Sequence, residues 1–328
     1  MNTLYSKTVL TVFVLISSSI LILMIAFGFK REPNSGDREL LRQDSLIYSV
    51  SSFRFPEVVT FAGENLPLEN FDTHESLERE ILTSAYRHSS TILIIKKANR
   101  FNPIIEKILA KNGIPDDFKY LVAAESEYNN VISPAGATGF WQIMSQTGKE
   151  QGMEINNVVD ERYDIEKATQ FACDFFKKSY ERYGSWTMAA ASYNSGRAGI
   201  DEQIKIQNQK NYYDLLLNEE TARYIFRVVA YKLIIANPQA YGFNIGNEDL
   251  YPEMKYYEVK IDTAINDFSA FAGKYNTNYK ILKYLNPWLR KPYLTPKLNK
   301  EYTIKIPAEG MRNLERTIIL TEKTEINE

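Results

Sequence analysis

Three short stretches of this chain carry residue types that could do chemistry together. They are Glu125-Ser126, the segment Ser133-Pro134-Ala135-Gly136-Ala137-Thr138-Gly139-Phe140-Trp141-Gln142, and Ser192-Tyr193-Asn194. The first is set up by what precedes it. Pro115 and the acidic pair Asp116 and Asp117 open a helix. Phe118, Leu121 and Val122 then fall at i, i+3 and i+4, and i+7 is Glu125, so a carboxylate occupies the stripe that should face a core. Periodicity leaves two readings open. Glu125 sits at a helix end and escapes to water, or it is a carboxyl in an apolar wall whose pKa rises until it can act as a general acid near neutrality.

The second stretch holds two glycines, a proline and small residues, which suits a loop whose backbone approaches something closely. It also suits a plain turn anchored by Phe140 and Trp141. It is not a phosphate loop, because no Gly-Lys-Ser/Thr follows. The third ends a helix with groups that bond hydroxyls and amides, or simply caps it through Asn194 or Gly196. One acid, one amide and one phenol without a metal suit a glycan.

Helices must position these groups. Apolar spacing predicts a helix from Glu75 to about Lys97, a short one from Pro103 to Ala110 stopped by Asn112-Gly113, and the Glu125 helix. A long amphipathic helix follows from about Ile165 to Tyr183, with Ala168, Phe171, Ala172, Phe175 and Phe176 on one side and Gly184 at its end. Trp186 to Tyr193 is short and alanine-rich, and Glu220 to Ile235 is the last clear helix of a mainly α body. Cys173, between Phe171 and Phe175, reads as a small buried hydrophobe.

Bulk properties narrow the function. The 328 residues allow one sizeable core and a smaller second domain. With 41 acidic and 39 basic residues there is no single-sign field that would argue for nucleic acid. Two histidines and one cysteine exclude a histidine or cysteine metal cluster and an intrachain disulfide.

Residues 8–29 carry no charged side chain, and 22 residues would span roughly 33 Å as a helix, enough for a bilayer core. Residues 1–30 are therefore expected to be an uncleaved membrane anchor, the alternative being a cleaved signal peptide with its exit near Ser17 to Ser19. Residues 31–52 read as a polar stem.

The motifs also resemble a known family. Besides the three stretches, now including Ile143-Met144 and Gly196, Asp160-Glu161-Arg162-Tyr163-Asp164, Tyr183-Gly184-x-Trp186 and Glu220-Thr221-x-x-Tyr224 are similar to motifs of the goose-lysozyme-like, SLT-domain lytic transglycosylases. The resemblance covers about residues 53–240. It departs at Ser145, where many relatives have proline, and at Ser192, where they have alanine.

It implies a mainly α, lysozyme-like SLT catalytic domain over 53–245, with Glu125 as catalytic acid and base. Ser133, Gln142, Met144, Tyr193 and Asn194 would line the sugar groove, and no metal or cofactor is implied. The implied reaction is lytic cleavage of the N-acetylmuramic acid to N-acetylglucosamine β-1,4 bond of peptidoglycan, leaving 1,6-anhydro-N-acetylmuramic acid ends. The alternatives are a muramidase that hydrolyses the same bond, with Asp160, Glu161 or Asp164 as partner, and an inactive peptidoglycan-binding protein. The implied setting is the periplasmic face of a Gram-negative-type envelope, membrane-anchored, with glycan strands as partner and no nucleic acid.

After the catalytic region, Tyr256 to Ile261 and Tyr302 to Ile306 alternate like strands around helical patterns at Ile265 to Tyr275 and Tyr279 to Leu285. This strand-helix-helix-strand order over 256–307 resembles a divergent, small α+β LysM-like module, which implies affinity for N-acetylglucosamine-containing chains. A cap that only supports the enzyme is the competing reading. Residues 308–328 form a polar tail.

Overall fold

The structure, a computed structural model, describes residues 52–313. The expected anchor, most of the stem and most of the tail lie outside the described residues. Among the described residues no helix is long and apolar enough to cross a membrane.

A small hairpin, β1 (Thr60–Phe61) and β2 (Glu64–Asn65), leads into α1 (Phe71–Tyr86) and α2 (His88–Asn112). Here the structure corrects the expected boundaries. The run expected from Glu75 to Lys97 is broken at Arg87, and Pro103 sits inside α2 instead of opening a new helix. The break is held by Thr91, whose Oγ1 donates to the Ser84 carbonyl at 2.6 Å. The bond ties the two helices together across the break over seven residues, and apolar periodicity carries no sign of it. Gly113 ends α2 in the left-handed region at φ 68°, where a residue without Cβ is at ease.

A 3₁₀ turn, Asp116–Tyr120, runs into α3 (Leu121–Ser126), and α4 (Ser145–Glu150) follows the glycine-containing loop. Next come α5 (Ile165–Tyr183), α6 (Trp186–Ser195), α7 (Arg197–Gln207) and α8 (Glu219–Ala236). The long helices start as their side chains dictate. Asp164 accepts from the amides of Glu166 and Lys167, Ser185 from Met188, and Asn218 from Thr221. The stripe Ala168, Phe171, Ala172, Phe175 and Phe176 of α5 is buried, as is Cys173. Together with Phe118, Leu121, Val122, Trp141 and much of α8 it forms the main core.

The chain closes with β3 (Tyr256–Ile261), α9 (Phe268–Lys274), α10 (Tyr279–Leu285) and β4 (Tyr302–Pro307). β3 and β4 pair antiparallel, with Tyr256 opposite Pro307 and Ile261 opposite Tyr302. Phe268, Leu282, Trp288, Ile304 and Ile306 build a second core, which also takes in Val159 and Tyr163 from the segment before α5. The two parts are joined by backbone: Val159 bridges Leu289, the Asp160 amide donates to the Trp288 carbonyl at 2.9 Å, and that of Arg290 donates to Val158 at 2.8 Å. The architecture is a helical body followed by a small β-containing unit.

Candidate active site

Glu125 lies in the last turn of α3, behind Phe118, Leu121 and Val122, which are fully buried. Beyond it the chain reverses through Glu127 and Tyr128, both at positive φ (52° and 54°). Two successive non-glycine residues in that region are strained. The surroundings hold them there: the buried Tyr128 hydroxyl donates to Asn102 Oδ1 at 2.8 Å, and Lys97 Nζ donates to the Asn129 side chain at 2.7 Å.

Glu125 is half-buried, and its carboxyl is held from one side by α8. The Tyr224 hydroxyl of α8 donates to Glu125 Oε1 at 2.5 Å. Burial is the main influence on Glu125 and raises its pKa from 4.5 to about 7. The Tyr224 hydrogen bond and the Arg227 charge pull it down, while the Glu220 charge pushes it up. Tyr224 is itself held protonated by burial and by the Glu125 charge, so it stays a donor. Near neutral pH, Glu125 is poised between giving a proton and taking one.

The loop from 131 to 143 is tied to this helix. Ser126 Oγ donates to the Phe140 carbonyl at 2.8 Å and to the Val122 carbonyl at 3.2 Å. Trp141 is fully buried and donates through Nε1 to Thr169 Oγ1 at 2.8 Å. The close backbone approach suggested by the glycines is found at Gly139: a Cβ there would lie 2.1 Å from the Arg162 carbonyl oxygen, and its φ is +84°. Arg162 clamps the loop from beneath through NH1 bonds to the Ile143 carbonyl (3.1 Å) and the Gly136 carbonyl (3.3 Å).

The other expected residues are placed as follows. Tyr193 is near enough for the Glu125 charge to act on it, and its hydroxyl donates to the Trp141 carbonyl at 2.7 Å. Asn194 Oδ1 accepts from Thr221 Oγ1 at 2.9 Å. Ser133 Oγ accepts from the Ala137 amide at 3.1 Å. Gln142, at φ 47°, donates through Nε2 to the Gly139 carbonyl at 2.8 Å and to Val131 at 3.2 Å, so its amide braces the loop. Met144 is 44% exposed.

Glu125 also faces an open cavity of about 450 Å³ whose charged walls the motifs did not reveal: Glu80, Arg87, Glu127, Arg223 and Arg227. Glu80, in α1, is buried and accepts from Arg223 Nε at 2.7 Å, with Arg227 Nε 3.6 Å away. The signal that could have found this cluster is the spacing of Glu220, Arg223, Tyr224 and Arg227, which brings all four to neighbouring positions of one helix.

The carboxylates considered for a hydrolytic partner are committed elsewhere. Asp160 binds Arg162 through two bonds, at 3.0 and 2.8 Å. Asp164 caps α5. Burial alone would raise the Glu161 pKa, but hydrogen bonds from Lys167, the Glu154 amide and Lys300 hold it below the ordinary value.

Comparison with known proteins fits this arrangement. Residues 102–216, which include Glu125, the loop and Tyr193-Asn194, match the family model described as the transglycosylase SLT domain. Residues 257–310 match the soluble lytic transglycosylase C-terminal LysM-like domain. The chain thus carries an SLT-like region followed by a LysM-like one.

Among curated proteins similar to this chain is the membrane-bound lytic murein transglycosylase D of Escherichia coli. It is 26% identical over 198 residues, covering 58% of this chain and 43% of the relative. The same protein from a second E. coli strain matches equally. The chain thus spans less than half the length of the curated relatives it matches. Among solved structures, the 70 kDa soluble lytic transglycosylase from Escherichia coli aligns with TM-score 0.39 and 18% identity, covering 56% of this chain and 32% of that one.

Proposed function

We propose that this chain is a peptidoglycan lytic transglycosylase with Glu125 as its single acid and base. The observation that carries the reading is the pairing of a buried carboxyl, pKa about 7, with a fixed donor in Tyr224. Protonated Glu125 donates to the oxygen linking N-acetylmuramic acid to N-acetylglucosamine, and the carbon–oxygen bond breaks with an oxocarbenium-like state at the muramyl anomeric carbon. The sugar's own N-acetyl group holds that state. The resulting carboxylate takes the proton from the muramyl 6-hydroxyl, whose oxygen closes on the anomeric carbon to give the 1,6-anhydro ring.

A hydrolase with two carboxylates needs a second free acid at the bond. The committed state of Asp160, Glu161 and Asp164 supports the one-carboxyl route. Ser133, Gln142, Met144, Tyr193 and Asn194 line the sugar groove in this proposal, with Gln142 acting through the loop it braces. Residues 53–245 act as the catalytic domain, residues 256–307 as a glycan-binding module, and residues 1–30 anchor the chain to a membrane with the body in the periplasm.

The test is mass spectrometry of soluble products released from intact sacculi. Anhydro-ended muropeptides that disappear with Glu125→Gln are expected. Reducing-ended products would assign hydrolysis, and binding without release would assign an inactive receptor.

A further inference from the structure

A second cavity, of about 540 Å³, lies where the helical body meets the C-terminal unit, and the proposed cleavage chemistry does not use it. Its lining combines α2 of the body, the connecting segment around Tyr251, and α10 with the Pro287-Trp288 turn of the C-terminal unit. Five cationic side chains face it: Lys97, Arg100, Lys280, Lys283 and Lys305. Asp164 is the one acidic lining residue, and its carboxylate is occupied in capping α5.

The cations are not neutralised from within. Among the described residues only Lys305 of the five has a carboxylate partner, Glu166 at 2.7 Å. Arg100 gives its Nε to the Pro252 carbonyl at 2.9 Å and lies 5.0 Å from the centre of the Tyr251 ring. Lys283 donates to the carbonyls of Leu289 and Lys291. Lys97 serves the Asn129 side chain and the Glu127 carbonyl. Lys280 is exposed and has no ion pair among the described residues. Burial lowers the pKa of Lys97, against the opposing pull of Glu127, and burial plus repulsion from Arg290 brings Lys283 down to about 8. A bound carboxylate would relieve both groups.

The remaining lining is largely apolar, and Tyr284, 53% exposed, offers a face for a sugar ring or an aliphatic stem. Position fixes the rest. Asn129, three residues beyond the Glu125 helix, lines both this cavity and the one beside Glu125. The two cavities are therefore neighbours, separated by the Asn129 side chain that Lys97 and the Ser126 carbonyl hold.

We infer that the cavity between the two units binds the carboxylate-bearing peptide stem of a muramyl residue, through its unpaired cations and aromatic walls. This rests on the proposed substrate and deepens it: the site would favour strands that still carry anionic stems over bare glycan. Stem carboxylates meet Lys280, Arg100 and Lys283, while the exposed Tyr284 covers the aliphatic part of the stem.

The test uses the full chain carrying Glu125→Gln, so that binding is read without turnover, titrated with a disaccharide–tetrapeptide muropeptide and separately with chitotetraose. Reversing one exposed charge changes an electrostatic contact by about 1 kcal/mol or more, roughly fivefold in affinity. Adding Lys280→Glu is therefore expected to weaken the muropeptide roughly fivefold and leave chitotetraose unchanged. Raising the salt should weaken the muropeptide alone. Muropeptide affinity that ignores both changes, or chitotetraose affinity that falls equally, overturns the inference. So does displacement of the muropeptide by phosphatidylglycerol vesicles, which would assign the cations to a membrane surface. Sacculus cleavage by the unmodified chain separates the two ideas. Cleavage to anhydro products without the Lys280 response removes the stem site only. The response without cleavage removes the catalytic proposal and leaves a stem-binding site.

Discussion

Replacing Glu125 by Gln tests the acid in two independent ways. Gln keeps the shape and still accepts from Tyr224, but it neither ionises nor transfers a proton. General acid-base catalysis contributes about 10²- to 10⁴-fold, and in the proposed mechanism one group serves both steps, so release of anhydro-muropeptides should fall by about 10⁴-fold.

The second readout is stability. The folded chain binds the Glu125 proton more tightly than the unfolded one, because its pKa stands at about 7 against an ordinary 4.5. The folded state therefore loses stability as pH rises through that window, and the cost levels off above about 7. The gap corresponds to about 3 kcal/mol at most, less whatever the exposed part of the side chain recovers from water. Glu125→Gln removes the cost. The variant should match its parent in thermal unfolding below about pH 4.5 and exceed it by several degrees above pH 7. Activity within tenfold of the parent in a folded variant, or a stability difference that does not change with pH, refutes the reasoning.

Other substitutions probe the supports. Tyr224→Phe removes the donor that favours the ionised carboxyl, so the falling limb of the pH–rate profile should move to higher pH and turnover drop by about 10-fold or more, read from product release between pH 5 and 8. Glu80→Ala leaves Arg223 and Arg227 without their buried partner; the loss should be about 3 kcal/mol, the low end for a broken buried pair because both guanidiniums partly reach water, measured by denaturant unfolding. Gly139→Ala drives a Cβ into the Arg162 carbonyl and strains the backbone, and should cost about 2 kcal/mol or more along with most activity, while an Ala at Gly152, which meets nothing within 4 Å, should cost less in the same assay.

Legibility from sequence followed the range of the forces involved. α5, with its capping Asp164 and closing Gly184, and the strand pair β3–β4 could be read because their signals lie within a few residues. The Arg87 break and the uninterrupted passage of α2 through Pro103 could not, since they depend on what packs around them. α7 does not stand out in the sequence either, since it buries only Ile200. At the site, Glu125 stood out by breaking a local apolar pattern. Its partner Tyr224 lies 99 residues away, and Glu80 lies 143 residues from Arg223; no spacing rule spans such separations. Gln142 shows a further limit. Its type suggests sugar binding, whereas its positive φ and the carbonyls it reaches, all fixed by the fold, turn the amide inward to the loop.

The backbone seam between residues 158–160 and 288–290 bears on how the protein melts. Val159 and Tyr163 belong to the C-terminal core although they precede α5, and Asp160, whose amide pairs with Trp288, also grips the Arg162 that clamps the loop beside Glu125. Peeling the C-terminal unit away would wet two buried side chains of the body and release a strut that reaches toward the loop beside Glu125. In calorimetric terms the two cores are expected to melt as one cooperative block, with a single heat-absorption peak in place of two. Protease sensitivity of the seam then tracks global opening, not the local fraying of a tethered bead.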